Sequence, residues 1–344
     1  MKILMLGGTR FVGWHLAEAA VARGHEVTLF HRGRSRSSGP TGTHSVLGDR
    51  STPTTPLPEG EWDLCIDVCG YQPADVERSA TELADRVGRY VFVSTVSVYR
   101  DRTRFGLTED DPVAPCPDAL LDERLDKHTY GPFKGRCEAH VQETFGHRAT
   151  VVRPGLITGP LDVTERFGWW VRRLRRGGDV LAPGPQGAGV QWIDARDLAE
   201  FTLDLAEKEI GGVYNAVGPE RATGLADFLE GMNAALGTPA DLHWVDAGFL
   251  LDRGVTPWEE LPLWIPEDGE RGLMTVDGAR SRGLGLKLRP LADTLRDFVA
   301  WMPQTMGSEG AKCLSSEREA ALLAHWGSLH EAVRRPALAA GHEI

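Results

Sequence analysis

The sequence predicts an α/β fold, a doubly wound parallel sheet with a smaller C-terminal lobe. Three observations carry that expectation. Short apolar runs alternate with helical stretches through the first 153 residues, and this rhythm implies right-handed crossovers between parallel strands. The first run passes straight into a glycine-rich turn holding Gly7, Gly8 and Gly13. The chain has 344 residues and 41% apolar content, enough to bury a sizeable core.

The elements follow in order. Residues 2–6 read as a strand. A helix over 11–23 stops at Arg23-Gly24, with glycine in the usual stop position. Residues 27–30 and 44–47 read as the second and third strands, separated by a polar loop at 35–40. Residues 51–60 are rich in Thr and Pro and read as irregular. A strand at 63–68, a helix at 73–87 and a strand at 89–94 come next. A helix at 130–145 and a strand at 149–152 close the series.

After Arg153-Pro154-Gly155 the rhythm changes, and eight of the ten tryptophans lie beyond residue 160. Residues 1–153 are therefore expected to form the dinucleotide-binding domain, with a segment near 190–217 returning to it. Residues 154–302 form mainly a substrate lobe. Residues 303–344 hold a linker, at 303–314, and a last helix. Ser316 and Glu319 have capping-box spacing at the start of that helix, which runs to about Arg334.

Composition narrows the function classes. A net charge of −11 argues against a general nucleic-acid or membrane surface. The first apolar run stops at Gly7, too soon for a signal peptide, and no stretch approaches the roughly 18 apolar residues of a membrane span. The five cysteines are odd in number and fit neither a disulfide framework nor a zinc site. His15, His25 and His147 show no ligand spacing, so no metal is expected. A reducing cytoplasm suits this cysteine usage.

The glycine turn lies between a strand and a helix, where backbone N–H groups can meet a pyrophosphate. Sites for NAD place an acid at the end of the second strand. Here that strand runs into Phe30-His31-Arg32-Gly33-Arg34, with no acid. Arg32 and Arg34 suit the 2′-phosphate of NADP, because guanidinium binds phosphate through forked, charge-assisted hydrogen bonds. Arg10, inside the turn, is a third candidate for that phosphate. Asp49, after the third strand, is placed to accept the adenine amino group. NADP(H) is therefore preferred, with NAD(H) left open.

Tyr130 and Lys134 stand four apart on a helix and share a face. An ammonium beside a phenol favours phenolate, which makes tyrosine a usable acid or base near neutral pH. The hydroxyl-rich strand end Ser94-Thr95-Val96-Ser97 offers groups to hold a substrate oxygen. Phe167-Gly168-Trp169-Trp170 and Trp192 are candidate pocket walls, balanced evenly against simple core packing for the Trp169–Trp170 pair. Arg172, Arg173, Arg175 and Arg176 are candidates for an acidic or phosphorylated substrate, balanced against a solvated charged face.

Together these segments resemble the short-chain dehydrogenase/reductase superfamily, in its extended and atypical epimerase/dehydratase branch. The matching pieces are Gly7 to Gly13, Gly48-Asp49-Arg50, Phe92 to Tyr99, Tyr130-Gly131-Pro132-Phe133-Lys134, Arg153-Pro154-Gly155 and Val190 to Asp197. The spacing of the turn is that of an atypical subgroup, since the usual extended pattern has glycine where Arg10 stands. The resemblance implies a Rossmann-like domain and a catalytic set of Thr95, Tyr130 and Lys134, with Ser97 as the alternative to Thr95. Tyr130 would exchange the substrate proton, Lys134 would hold the nicotinamide ribose, and Thr95 would orient the substrate oxygen. The expected cofactor surface comprises Gly7, Gly8, Thr9, Arg10, Phe11, Val12, Gly13, His31, Arg32, Arg34, Asp49, Arg50, Cys69, Ser94, Pro154, Tyr130 and Lys134.

An NADP(H)-dependent oxidoreductase acting on the carbonyl or alcohol of a small molecule is the first functional expectation. A redox-neutral epimerase or dehydratase that recycles its cofactor is the enzyme alternative. A cofactor-sensing or RNA-binding protein on the same scaffold is a third, opposed by the intact Thr95, Tyr130 and Lys134 and by the negative charge. The resemblance also implies a homodimer built through two helices of the first domain, the Tyr130 helix among them.

Overall fold

Seven strands build one sheet: β1 (Lys2–Leu6), β2 (Glu26–His31), β3 (Thr43–Leu47), β4 (Trp62–Asp67), β5 (Val87–Val93), β6 (Ala149–Pro154) and β7 (Gly212–Ala216). Their order across the sheet is β7-β6-β5-β4-β1-β2-β3. Every neighbouring pair runs parallel. The sheet is thus the doubly wound, Rossmann-like one expected. The computed structural model describes residues 1–35, 38–221, 223–266, 269–302 and 312–339.

Parallel strands are covered on both faces, so they carry continuous apolar runs. In β1, Ile3, Leu4, Met5 and Leu6 are all fully buried. Ile3, Met5, Leu29 and Ile66 join the core on one face, with Leu16 and Ala20 of α1 (Phe11–Ala22) and Leu198 and Phe201 of the helix Ala195–Glu207. Leu4, Leu6, Cys65 and Phe92 join the other, with Val76 and Leu83 of α2 (Pro73–Leu83) and Cys137 and Val141 of α3 (Tyr130–Phe145). Strand order reverses between β1 and β4, and open α/β sheets bind ligands in the crevice at such a point.

α2 stops at Leu83, short of the expected residue 87, and β5 begins at Val87. The sheet wins this competition. Val87 pairs with Trp62 across the ladder, and the Trp62 amide donates to the Arg86 carbonyl at 2.8 Å. A Cβ on Gly88 would sit 2.7 Å from the Asp63 carbonyl, so glycine lets the strands close there.

The chain divides into two units. The first holds Met1–Asp162, Gln191–Ala222 and Glu270–Pro290. The second holds Val163–Val190, Thr223–Gly269 and Leu291–Ile344. In the second, the strands Gly178–Pro183 and Ala240–Val245 pair in parallel. The helices Arg166–Arg175, Leu225–Leu236, Leu291–Trp301 and Ser316–Ala339 accompany them. The expected linker falls largely on residues 303–311, outside those described. No helix among the described residues is long and apolar enough to cross a membrane.

The capping box expected at Ser316 and Glu319 does not form. Ser315 caps the last helix, its hydroxyl accepting from the Arg318 amide at 3.2 Å. The Glu319 carboxylate instead meets the buried Arg173 guanidinium at 2.6 Å and the Leu181 amide at 3.0 Å. Both partners of this pair are over 90% buried. Pairing outweighs capping because an unpaired buried charge costs more than a lost cap.

Denaturation melts of point variants test this assignment. Glu319→Ala should destabilise the second unit by about 3–5 kcal/mol by stranding Arg173. Ser315→Ala should cost about 1 kcal/mol. Ser316→Ala should stay within about 0.5 kcal/mol of wild type. A Ser316 effect equal to or above that of Ser315 would restore the capping box.

Candidate functional site

At the C-terminal end of β1 the backbone turns sharply. Gly7 and Gly8 have φ of 102° and 96°, in a region that favours glycine. A Cβ on Gly7 would lie 2.8 Å from Val68, and one on Gly13 would lie 2.8 Å from the Gly8 Cα. The glycines thus let the turn and the start of α1 pack this closely against each other and against the residues after β4. Phe11, the first residue of α1, has φ of 32°, strain of a kind that collects at functional turns. No side chain caps α1, and its first turn carries no acid. Its leading N–H groups and dipole are left to favour an anion. Turn and helix end fit the pyrophosphate of a nicotinamide dinucleotide.

Past β2, Arg32 and Arg34 are exposed and lie 4.0 Å and 3.8 Å from Asp49. Asp49 accepts from the Ser51 amide and hydroxyl. Those bonds, then the two arginines, hold its carboxyl below the usual range. His31 is buried, and its Nδ1 accepts from the Gly33 amide at 3.1 Å. Desolvation lowers the pKa of its imidazole. Arg32, Arg34 and Asp49 therefore gather at one end of the crevice.

Arg50 does not join them. Its guanidinium turns inward and lies 2.7 Å from both Asp67 carboxylate oxygens, with further bonds to the Ser79 hydroxyl and the Asp75 carbonyl. Asp67 also accepts from the Tyr90 hydroxyl and the Cys69 amide. Burial demands this pairing, so Arg50 braces the end of β4 instead of lining the cofactor surface. Cys69 follows that brace and stands beside Gly7, its Sγ 3.3 Å from where a Gly7 Cβ would be.

Lys134 is buried on α3. Its ammonium donates to the carbonyls of Gly70 at 2.8 Å and Val93 at 2.7 Å. It also lies 4.0 Å over the Phe92 ring. Desolvation lowers its pKa to about 8, against the pull of nearby acidic groups. An ammonium carries three donors, so one hydrogen remains beyond these two bonds.

Tyr130 is the first residue of α3. Next to it, a Cβ on Gly131 would collide with the Ser97 carbonyl, so glycine allows the helix to start against the strand-end segment. In that segment the Thr95 hydroxyl accepts from the Ser97 amide at 3.1 Å. The Ser94 hydroxyl is buried without a partner among the described residues. Pro154 ends β6 next to this edge.

Tyr71 was not anticipated from the sequence. It follows Gly70 directly, and its ring centroid lies 6.4 Å from that of Tyr130. Lys134 Nζ lies 5.5 Å from the same ring. Desolvation and then Tyr130 push the Tyr71 phenol up to about 12, against Arg10. A tyrosine four residues beyond the end of a strand carries no periodic signal, and only the fold brings it here.

Trp192 is half-buried in the first unit. Trp169 and Trp170 lie in the second unit with rings crossed edge-on at 4.7 Å. Trp170 is fully buried, and its indole N–H donates to the Pro262 carbonyl. Arg172 pairs with Glu165 and Arg176 with Ser316 in that same unit. Among the described residues there is no cluster of metal-ligating side chains.

Residues 74–216 match the model of the NAD dependent epimerase/dehydratase family. The chain is 28% identical to the Arabidopsis thaliana chloroplast stem-loop binding protein of 41 kDa b over 241 residues. That alignment covers 64% of this chain and 60% of the relative, so the chain spans less than two thirds of its length. The Homo sapiens epimerase family protein SDR39U1 is 28% identical over 261 residues, 70% of this chain and 82% of its own. The crystal structure of its isoform 2 with NADPH superposes with a TM-score of 0.58 at 21% identity, covering 87% of this chain and 99% of that one. The Bordetella bronchiseptica enzyme WbmH, crystallised with NAD+, superposes with a TM-score of 0.65 at 15% identity, covering 89% and 99%.

The Lys134 environment makes a signed prediction for the cofactor-free protein. Its folded pKa of about 8 lies below the ordinary lysine value. The unfolded chain therefore binds more protons, and stability rises with pH from about 8 to about 10.4. Between pH 7.5 and 9.5, wild type should gain about 2 kcal/mol relative to Lys134→Met. Urea melts at both pH values measure it. Identical pH profiles for the two proteins would contradict the buried ammonium.

Proposed function

We propose that this chain, whose residues 74–216 match the NAD dependent epimerase/dehydratase family model, is an NADP(H)-preferring oxidoreductase that interconverts the carbonyl and alcohol of a small molecule. One observation carries this proposal. Tyr130 and Lys134 of α3 lie at the same sheet edge as the Thr95–Ser97 segment, with Gly131 pressed against the Ser97 carbonyl. A phenol near an ammonium and a hydroxyl is suited to moving a proton at a substrate oxygen. Tyr130 is the proton donor or acceptor, and Thr95, or Ser97 in its place, orients that oxygen. The third hydrogen of Lys134 is available to the cofactor ribose. A bound nicotinamide would supply or accept the hydride.

Cofactor preference rests on Arg32 and Arg34, which follow β2 where an NAD site would carry an acid, and which lie 4.0 Å and 3.8 Å from Asp49. A second reading is a redox-neutral epimerase or dehydratase that regenerates its cofactor, favoured by the family match itself. RNA binding, suggested by the name of the Arabidopsis relative, sits poorly with a net charge of −11.

Titration of NADPH and NADH by fluorescence should show the tighter binding for NADPH. The double variant Arg32→Ser, Arg34→Ser should weaken NADPH by about tenfold or more and leave NADH nearly unchanged, as expected when charge-assisted bonds to a phosphate are lost. Equal wild-type affinities would remove the preference.

Turnover can be followed as NADPH oxidation against a panel of aldehydes and ketones. Tyr130→Phe should retain NADPH binding and lose roughly two to four orders of magnitude in rate. A rearranged product without net cofactor consumption would select the epimerase reading. Near-normal turnover in Tyr130→Phe would exclude this phenol as the acid.

A further inference from the structure

Sheet order lays the candidate site out from side to side. Arg32, Arg34 and Asp49 follow β2 and β3, the glycine turn follows β1, and Tyr71 follows β4. Thr95 follows β5, one strand further over. Neighbouring strands stand about 4.8 Å apart, so a dinucleotide with its pyrophosphate over β1 puts its two nucleosides on opposite sides. With the 2′-phosphate at Arg32 and Arg34, the nicotinamide half falls over β4 and β5.

Tyr71 is fixed on that side and still open. The carbonyl of the Gly70–Tyr71 peptide is the one that accepts from Lys134 at 2.8 Å. A Cβ on Gly70 would press into Phe92 and Val76, so the chain has little room to shift before Tyr71. Tyr71 nevertheless keeps 45% of its residue surface exposed, with its ring beside that of Tyr130 and near the Lys134 ammonium. An aromatic face held in place at the edge of a polar crevice loses little entropy when a planar group stacks on it.

We propose that Tyr71 is a binding residue for the nicotinamide half of the cofactor, its ring giving a stacking wall beside Lys134 and Tyr130. This inference rests on the cofactor reading above and adds a residue to it. The hydroxyl of Tyr71 is not required, because stacking uses the ring face. Desolvation and the neighbouring Tyr130 keep that hydroxyl protonated, so the wall stays neutral across physiological pH.

The test compares two probes that share the adenosine 2′-phosphate end. NADPH carries the nicotinamide riboside, and 2′,5′-ADP lacks it. Dissociation constants for both would be measured on wild type, Tyr71→Ala and Tyr71→Phe, with a thermal melt of each protein. Tyr71→Ala should weaken NADPH by about fivefold or more, the effect of losing one aromatic stacking partner, and leave 2′,5′-ADP within about twofold. Tyr71→Phe should bind both like wild type and so rescue the ring function. Equal loss of both probes, no loss of NADPH, or a Phe variant as weak as the Ala variant would each overturn the proposal. Failure of wild type to bind either probe would remove the cofactor reading and this inference together.

Discussion

The buried Lys134 ammonium ties the site together. It is bonded to the Gly70 carbonyl just past β4 and to the last carbonyl of β5, that of Val93, from a helix that crosses the sheet face. A charge so placed is costly without partners, so those carbonyls cannot drift without exposing it to an apolar surround. The bond to Gly70 sets the peptide leading into Tyr71. The bond to Val93 sets the strand end leading into Ser94 and Thr95. One turn earlier on the same helix stands Tyr130, and Gly131 lets the helix approach as closely as these bonds require. Tyr130 and Thr95, the groups proposed to move a proton and hold a substrate oxygen, are thus located by one residue.

A second buried charge braces the neighbouring strand. Arg50 meets Asp67 with both partners removed from water, and Tyr90 and the Cys69 amide complete the carboxylate's bonds. Such a pair is weak evidence for net stability, but removing one partner leaves an uncompensated charge. What the pair fixes is position. It holds the segment after β4 against the glycine turn, where Cys69 and Gly7 come into contact range.

Much of the first unit was legible because parallel strands buried on both faces announce themselves as apolar runs between helical stretches. β1, β3 and α3 fall within a residue of their expected limits. Error entered where long-range pairing decides. α2 ends early because Val87 is needed opposite Trp62. Ser315 displaces Ser316 as a cap because Glu319 serves Arg173. At the site, the glycine turn, Arg32, Arg34, Tyr130 and Lys134 carry motif spacing that can be read along the chain. Arg50 looked the same in sequence as a ligand-facing arginine, since nothing local says that Asp67 lies 17 residues on and within 2.7 Å. Tyr71 gave no local signal because its neighbours come from another helix.

Determining the structure of the protein with NADPH is the most direct measurement of the central claim, that one crevice holds a phosphorylated dinucleotide between an arginine pair and Lys134. The 2′-phosphate should lie within hydrogen-bonding distance of Arg32 or Arg34, the pyrophosphate at the start of α1, and the nicotinamide ribose on the Lys134 ammonium. A dinucleotide lying in the opposite direction, or one bound away from Gly7 and Gly8 with Lys134 untouched, would contradict it.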